Sequence, residues 1–457
     1  MENELTANIT NTQTADNELH SAKWDYEEAL ANRKRYLSPV LATFQSYEMP
    51  LLLQRGQGQY LWDSAGRRYL DCIAQNLCIS VGYNHPVVTA QMYRQMQELQ
   101  HCTTMWMHPG PGLLAKEIVN KLPSDGDWVV HFVNSGSEAI DLATMLARLY
   151  TGNTEILALR HSYHGLQFSA MAATGIAGCH QPIAAAPGFI HVSNPDQYRG
   201  IYGSGVDDYL AELNATISSS TSGPVAGMLF EPIQGYGGVI PLRPDYVEQA
   251  AKIVRASGGV MIADEVQAGI ARTGEHFWGF EQYGFTPDIV VMAKGLGNGF
   301  PIAAVATHRE IAETMAHRKF FNTYGANPVG SAAGRAVLAT IESEGLQENA
   351  ASIGQQMKEM LEGLKTEHEI IGDVRGRGLL QGIEIVSNRE RKIPAANAAA
   401  RLAEELRERG VIVGRSGADG NVLRVAPPLC ISSQDVELFH DAFEPALKAA
   451  GKENWGE

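Results

Sequence analysis

The spacing of hydrophobic residues changes character three times along the chain. Between residues 21 and 46, Trp24, Tyr26 and Leu30 recur at steps of two and four, which predicts a helix. Around 50–83 the pattern shortens to strands and turns punctuated by Gly56, Gly58, Gly66 and Gly82. From about 85 to 330, short apolar runs alternate with amphipathic stretches of helical period. That alternation predicts an α/β fold with a mostly parallel sheet covered by helices on both faces. Past 330, a long helix, the string GDVRGRGLLQGIEIV (372–386), a second helix near 395–409 and the segments VIVGRSG and NVLRVAPP predict a smaller α+β unit. The expected organisation is a flexible tail over 1–20, an N-terminal segment over 21–84 that joins the small unit, a large domain over 85–330, and a C-terminal small domain over 331–457.

What ends the apolar runs is more informative than the runs themselves. Trp128–Val133 leads into Asn134, Ser135, Gly136 and Ser137, where a helix starts by Glu138. Ile156–Leu159 leads to Tyr163 and His164, Val225–Phe230 to Glu231, Val260–Ala263 to Asp264, and Ile289–Ala293 to Lys294. If these runs are parallel strands, their carboxyl ends open on one edge of the sheet, where open α/β sheets bind ligands. Ser135–Ser137, Tyr163, Glu231, Asp264 and Lys294 are therefore candidates for one crevice.

Each residue has a plain reading and a chemical one. A lysine after a buried run is desolvated, which favours the uncharged, nucleophilic amine; it could equally bind phosphate. Asp264 can cap a helix or pair with an arginine, or it can hold a proton on a ring nitrogen so that the ring accepts electrons. Ser-Gly-Ser before a helix is an ordinary cap, or a phosphate cradle at the positive end of the helix dipole. Tyr163 can pack in a core or stack on a flat ring. Taken together, a phosphate cradle, a stacking aromatic, a carboxylate and an amine describe a site for pyridoxal 5'-phosphate.

Composition narrows the classes. Of 457 residues, 44% are hydrophobic and 19% charged, which excludes a disordered chain or a coiled coil. The balance of 36 basic against 51 acidic residues, net -15, argues against a nucleic-acid partner. No apolar run reaches the roughly 18–20 residues that cross a bilayer, so no membrane association is expected. The polar N-terminus MENELTANITNTQTADNELH has no basic or apolar leader region, and the five scattered cysteines fit a reducing compartment; both predict the cytoplasm. The histidines and cysteines show no metal-ligand spacing. Gly295–Gly299 lacks the third glycine of a dinucleotide loop, and Arg375–Gly378 reads as a turn rather than a basic patch.

At this point the sequence resembles the class-III aminotransferases, the ω-transaminase branch of the fold-type I pyridoxal-phosphate enzymes. The strings that carry the likeness are NSGSEA (134–139), YHG (163–165), EPIQG (231–235), ADEVQAGIARTG (263–274), PDIVVMAKGLGNGFP (287–301), TYGANP (323–328) and LRVAPPL (423–429). The texture is nearest the mitochondrial-type alanine–glyoxylate subgroup. The resemblance implies a seven-stranded, mostly parallel sheet in the large domain and a small domain built from both chain ends. It implies that Lys294 carries the cofactor as a Schiff base and shuttles a proton. Asp264 would hold the pyridinium, and Gln267 would donate to the cofactor's phenolic oxygen. Ser135, Gly136 and Ser137 would hold the phosphate, with His164 and Val266 beside the cofactor and Tyr163 over its ring. Thr323 would reach the phosphate of a partner subunit, implying a homodimer with shared sites, or a tetramer.

The same resemblance makes Arg424 the clamp for the substrate carboxylate and Glu231 its counter-ion when that carboxylate is absent. Trp106, with Gln75, Asn76, Leu77 and Met107, would line the pocket or pack at a dimer interface. Relatives using 2-oxoglutarate often carry an arginine just after YHG; here Leu166, Gln167 and Phe168 follow. That favours a short 2-oxo acid, pyruvate or glyoxylate, as acceptor, and an amine, ω-amino acid or alanine-type compound as donor. The alternative is a lyase acting on an amino-alcohol phosphate, which needs extra cations for a second phosphate. A non-catalytic scaffold is disfavoured because every chemical group is present.

Overall fold

The computed structural model describes residues 24–450; the tail expected over 1–20 lies outside the described residues. The apolar runs of the large domain become one seven-stranded sheet. Its spatial order is Trp128–Val133, Ala303–His308, Ile289–Met292, Val260–Asp264, Gly227–Phe230, Ile156–Leu159, Phe189–Val192. Ala303–His308 runs antiparallel to both neighbours, and the remaining paired strands are parallel.

These strands are apolar on both faces because both faces are covered. Side chains alternate along a strand, so successive residues enter different cores. Val260, Ile262, Ile289 and Val291 join a core with Ile140, Leu142 and Leu146 of the helix Gly136–Thr151. Met261, Ala263, Val290 and Met292 point the other way, into the larger core that holds Val247 and Val254 of the helix Pro244–Ala256. Each such side chain contributes on the order of 1.5–3 kcal/mol of apolar burial. Apart from His131 and His191, the strands of this sheet from Trp128–Val133 to Ile289–Met292 in chain order carry apolar side chains, and the chemistry sits at their ends.

Two smaller sheets flank this one. Leu53–Gln57, Tyr60–Asp63 and Arg68–Asp71 form a meander whose last strand pairs in parallel with Val411–Ile412. Residues from both ends of the chain thus share a sheet. Ile371–Arg377, Leu380–Asn388, Val422–Val425 and Gly414–Ser416 form an antiparallel sheet beyond it. The N-terminal helical pattern appears as Tyr26–Tyr36 and Pro39–Thr43. The single long helix expected after 330 is instead two, Pro328–Ser343 and Leu346–Glu367. Gly345 between them adopts φ +61°, a left-handed conformation that glycine takes without penalty and that ends the first helix.

Candidate active site

A cavity of about 360 Å³ opens at the carboxyl edge of the large sheet, lined by Ser137, Tyr163, Glu231, Asp264, Gln267 and Lys294 among others. The strand-end residues therefore do converge. Val266, His164, Ser135 and Gly136 line the same space.

Asp264 is the last residue of its strand and is only 4% exposed. Its Oδ1 accepts the Val266 N–H at 3.1 Å, and its Oδ2 lies 2.7 Å from His164 Nδ1. With the carboxylate oxygen accepting, the imidazole proton is placed on Nδ1, and the two contacts hold the Asp264 side chain in one orientation. Lys294 follows the neighbouring strand on a tight turn, at φ +41°. Its amine forms no hydrogen bond or ion pair with any described residue. Burial, followed by the Arg424 cation, pulls its pKa down; Asp264 opposes them. The result is a free amine biased toward its uncharged form.

Ser135 caps the helix Gly136–Thr151 by accepting the Glu138 N–H at 3.2 Å. The N–H groups of Gly136 and Ser137, at the helix start, have no backbone acceptor, and both residues line the cavity. Ser137 Oγ accepts the Leu166 N–H at 3.2 Å. A Cβ on Gly165 would fall 2.2 Å from that oxygen, so only glycine lets the loop close over the helix end. This is an anion seat built of backbone donors.

Glu231 is buried, and its oxygens are occupied: Oε1 accepts the Tyr163 N–H at 2.8 Å and Oε2 the Gly235 N–H at 2.9 Å. Burial first, and the nearby Asp264 charge, push its pKa up to about 7, although His164 and the two N–H groups pull the other way. Arg424, 4% exposed, stands behind the cavity wall. Its Nη1 donates to Gln267 Oε1 at 3.0 Å and its Nη2 donates to Asn76 Oδ1. No ion pair joins Arg424 to Glu231. With its oxygen held by Arg424, Gln267 turns its NH₂ group free. A Cβ on Gly235 would lie 2.2 Å from the Gln267 oxygen, so that glycine makes room for the amide. The Tyr163 ring packs on Tyr236 with centroids 5.4 Å apart.

Besides Arg424, which stands behind the wall, Trp106 and Thr323 do not line the cavity of this chain, and of the further expected liners Asn76 does while Gln75, Leu77 and Met107 do not. Trp106 is 66% exposed, on a loop with the fully exposed Met107, because nothing apolar in the same chain covers that loop. Thr323 is likewise exposed and outside the cavity. Of the two readings of the Met and aromatic residues near 93–107, core or interface, Tyr93, Met96, Met105 and Trp106 do not fit the core of this chain, since all four are exposed. Conversely, Cys78 and Phe300 line the cavity. Neither carries a signal in sequence beyond proximity to Asn76 and Lys294.

The donor set fits pyridoxal 5'-phosphate: unfilled N–H groups for a phosphate, a carboxylate for a ring nitrogen, and a free amine for its aldehyde. The profile of the family described as aminotransferase class-III matches residues 42–447. The chain is 45% identical over 418 residues to alanine–glyoxylate aminotransferase 2 homolog 2, mitochondrial, of Arabidopsis thaliana, covering 92% of this chain and 87% of that one. Its fold matches a phospholyase from Arthrobacter in complex with phosphoethanolamine, with TM-score 0.86, 34% identity, and 92% and 99% of the two chains covered. It also matches an (S)-enantioselective ω-transaminase from Thermomicrobium roseum, with TM-score 0.85, 31% identity, and 93% and 99% covered. With the site and these likenesses together, the chain belongs to the class-III aminotransferases, which depend on pyridoxal 5'-phosphate.

Proposed function

We propose that the enzyme moves an amino group from an amine, ω-amino acid or alanine-type donor to a short 2-oxo acid, pyruvate or glyoxylate. The observation that carries this reading is the charge inventory of the cavity. Among the described residues Lys294 is the only lysine or arginine that lines it, and Arg424 behind the wall offers one further seat for an anion. One seat suits a monocarboxylate. Leu166, where an arginine would hold a distal carboxylate, is 61% exposed and apolar. A phosphorylated amino alcohol would bring a second phosphate to a lining without a free cation, so the lyase reading has less support.

When bound, the cofactor supplies an electron sink; the protein supplies the rest. Gly136 and Ser137 N–H groups would bind its phosphate, and Asp264, oriented by His164, would keep its ring nitrogen protonated. Tyr163 would cover the ring. Lys294 Nζ, biased to the uncharged form, takes the proton from the donor's Cα, and in the second half-reaction returns one to C2 of the acceptor. Arg424 orients the acceptor's carboxylate.

We also propose a homodimer. Exposed apolar residues on the N-terminal segment, Tyr36, Val40, Leu41 and Phe44, and the trio Phe320, Phe321 and Tyr324 around Thr323 support it. A second copy would cover both sets. The test is a panel of donors against pyruvate, glyoxylate and 2-oxoglutarate, with half-reactions followed separately. Transfer from amines to the two short acids but not to 2-oxoglutarate is expected. In Lys294→Ala, borohydride should fix no cofactor to the chain; attachment at another lysine would end the assignment.

A further inference from the structure

We infer that Asn76 is a positioning residue for the anion seat: its side-chain amide parks the Arg424 guanidinium when no substrate carboxylate is present and yields it when one arrives. The inference rests on the aminotransferase reading and deepens it for the same site.

The buried guanidinium has no carboxylate partner. Its two hydrogen-bond acceptors, Asn76 Oδ1 and Gln267 Oε1, are both neutral amides, and its Nε has none. The nearby acid cannot take over cheaply. Moving Glu231 onto Arg424 would strand the N–H groups of Tyr163 and Gly235, which it now satisfies. A neutral amide has the right strength for a temporary partner. It satisfies the guanidinium well enough to keep it buried, yet a carboxylate accepts more strongly and displaces it. A resident carboxylate would compete with the substrate on equal terms.

The placement of Asn76 is built in. Ala74, Gln75, Asn76 and Leu77 form a left-handed turn, with φ of +50°, +49°, +64° and +66°. Asparagine is among the few residues other than glycine that take this conformation routinely. The turn is pinned by the buried Asp71, whose Oδ1 accepts the N–H groups of Ile73 at 2.9 Å and Ala74 at 3.0 Å and whose Oδ2 accepts the Tyr83 hydroxyl. Asn76 lines the cavity, and its Nδ2 has no partner. Once the carboxylate has taken over the guanidinium, that NH₂ group is free to donate to the same anion. One residue thus serves both half-reactions, as acceptor when the donor is a plain amine and as donor when the 2-oxo acid is bound.

The test uses the holoenzyme and two variants. Asn76→Asp sets a carboxylate against Arg424; Asn76→Gly removes the amide while keeping the left-handed backbone free of strain. Retained visible absorbance of the bound cofactor reports that each variant is folded. With Asn76→Asp, the KM for pyruvate should rise about tenfold or more and formate should inhibit less, while the KM for a simple primary amine rises far less. With Asn76→Gly, the order reverses: the amine half-reaction suffers more than the pyruvate half-reaction. Equal changes for both substrates in either variant would mean a merely structural role and overturn the inference. A wild-type enzyme that turns over neither substrate would overturn the donor–acceptor reading instead. Calorimetric titration of formate then still decides the matter: tighter binding to wild type than to Asn76→Asp supports the parking role, and equal binding overturns it.

Discussion

His164 Nδ1 lies 2.7 Å from Asp264 Oδ2, with the imidazole fully buried and the carboxylate nearly so. The contact fixes the aim of Asp264. Removing it should cost what a hydrogen bond to a charged group is worth, roughly 1.5–3 kcal/mol. His164→Phe should therefore lose about 10- to 100-fold in kcat and bind the cofactor more weakly, whereas His164→Asn, which keeps an N–H donor, should lose less. Steady-state kinetics with cofactor titration into the apoenzyme would check both. Equal losses in the two variants would show that packing, not the hydrogen bond, is what His164 provides.

Arg424→Lys keeps the charge and removes the planar fork. The KM for the 2-oxo acid should rise about 10- to 100-fold, with a much smaller change for an amine without a carboxylate. Separate titration of each half-reaction measures this. Parallel increases would take the carboxylate seat away from Arg424.

Leu166→Arg places a cation at the exposed position that follows Gly165. Activity with 2-oxoglutarate should appear, at about a tenfold gain or more over wild type, as expected for a new charge-assisted contact at a half-exposed site. A pyruvate-to-2-oxoglutarate ratio that stays where it was would count against Leu166 as the source of the short-acid preference.

Stability should fall as pH rises through the neutral range. Burial pushes Glu231 up to about 7 and Glu265 up to about 8, the latter while it accepts the N–H groups of Gly279 and Phe280. Unfolded glutamate titrates near ~4.3, so between that value and the raised ones the folded chain holds more protons than the unfolded one. The stability these acids contribute is then present at low pH and lost on ionisation, on the order of a few kcal/mol in all. Thermal melts from pH 5 to 8.5 should show a decreasing Tm, with a flatter slope in Glu265→Gln, which cannot ionise. Identical slopes would mean that Glu265 is charged throughout.

The strand-end chemistry was legible because buried parallel strands read as unbroken apolar runs. A lysine or aspartate closing one, as at 294 and 264, is therefore conspicuous. The break at Gly345 was missed: a lone glycine in a helical pattern is a weak signal, and the apolar period on either side of it reads as one helix. The left-handed turn at Ala74–Leu77 was not readable: it contains no glycine, and what holds it is Asp71, whose burial depends on the tertiary fold. Nor was the Asn76–Arg424 contact, which joins residues 348 positions apart. Periodicity reports which face is buried, never which distant side chain meets it there. Trp106 shows the complement, since an aromatic residue gives the same pattern whether its cover is its own chain or another.

The pairing of Arg68–Asp71 with Val411–Ile412 sets an order of events during synthesis. The groups that would hold the cofactor, from Ser135 to Lys294, have all left the ribosome well before residue 411 is made. The strand that ends in Asp71, and with it the turn bearing Asn76, is then paired with Tyr60–Asp63 but still lacks its second neighbour, and Arg424 does not yet exist. The side chains that would bind the coenzyme are thus all made before the one that would seat the substrate's carboxylate, while the core beneath them is completed only by residues as late as Phe439 and Phe443.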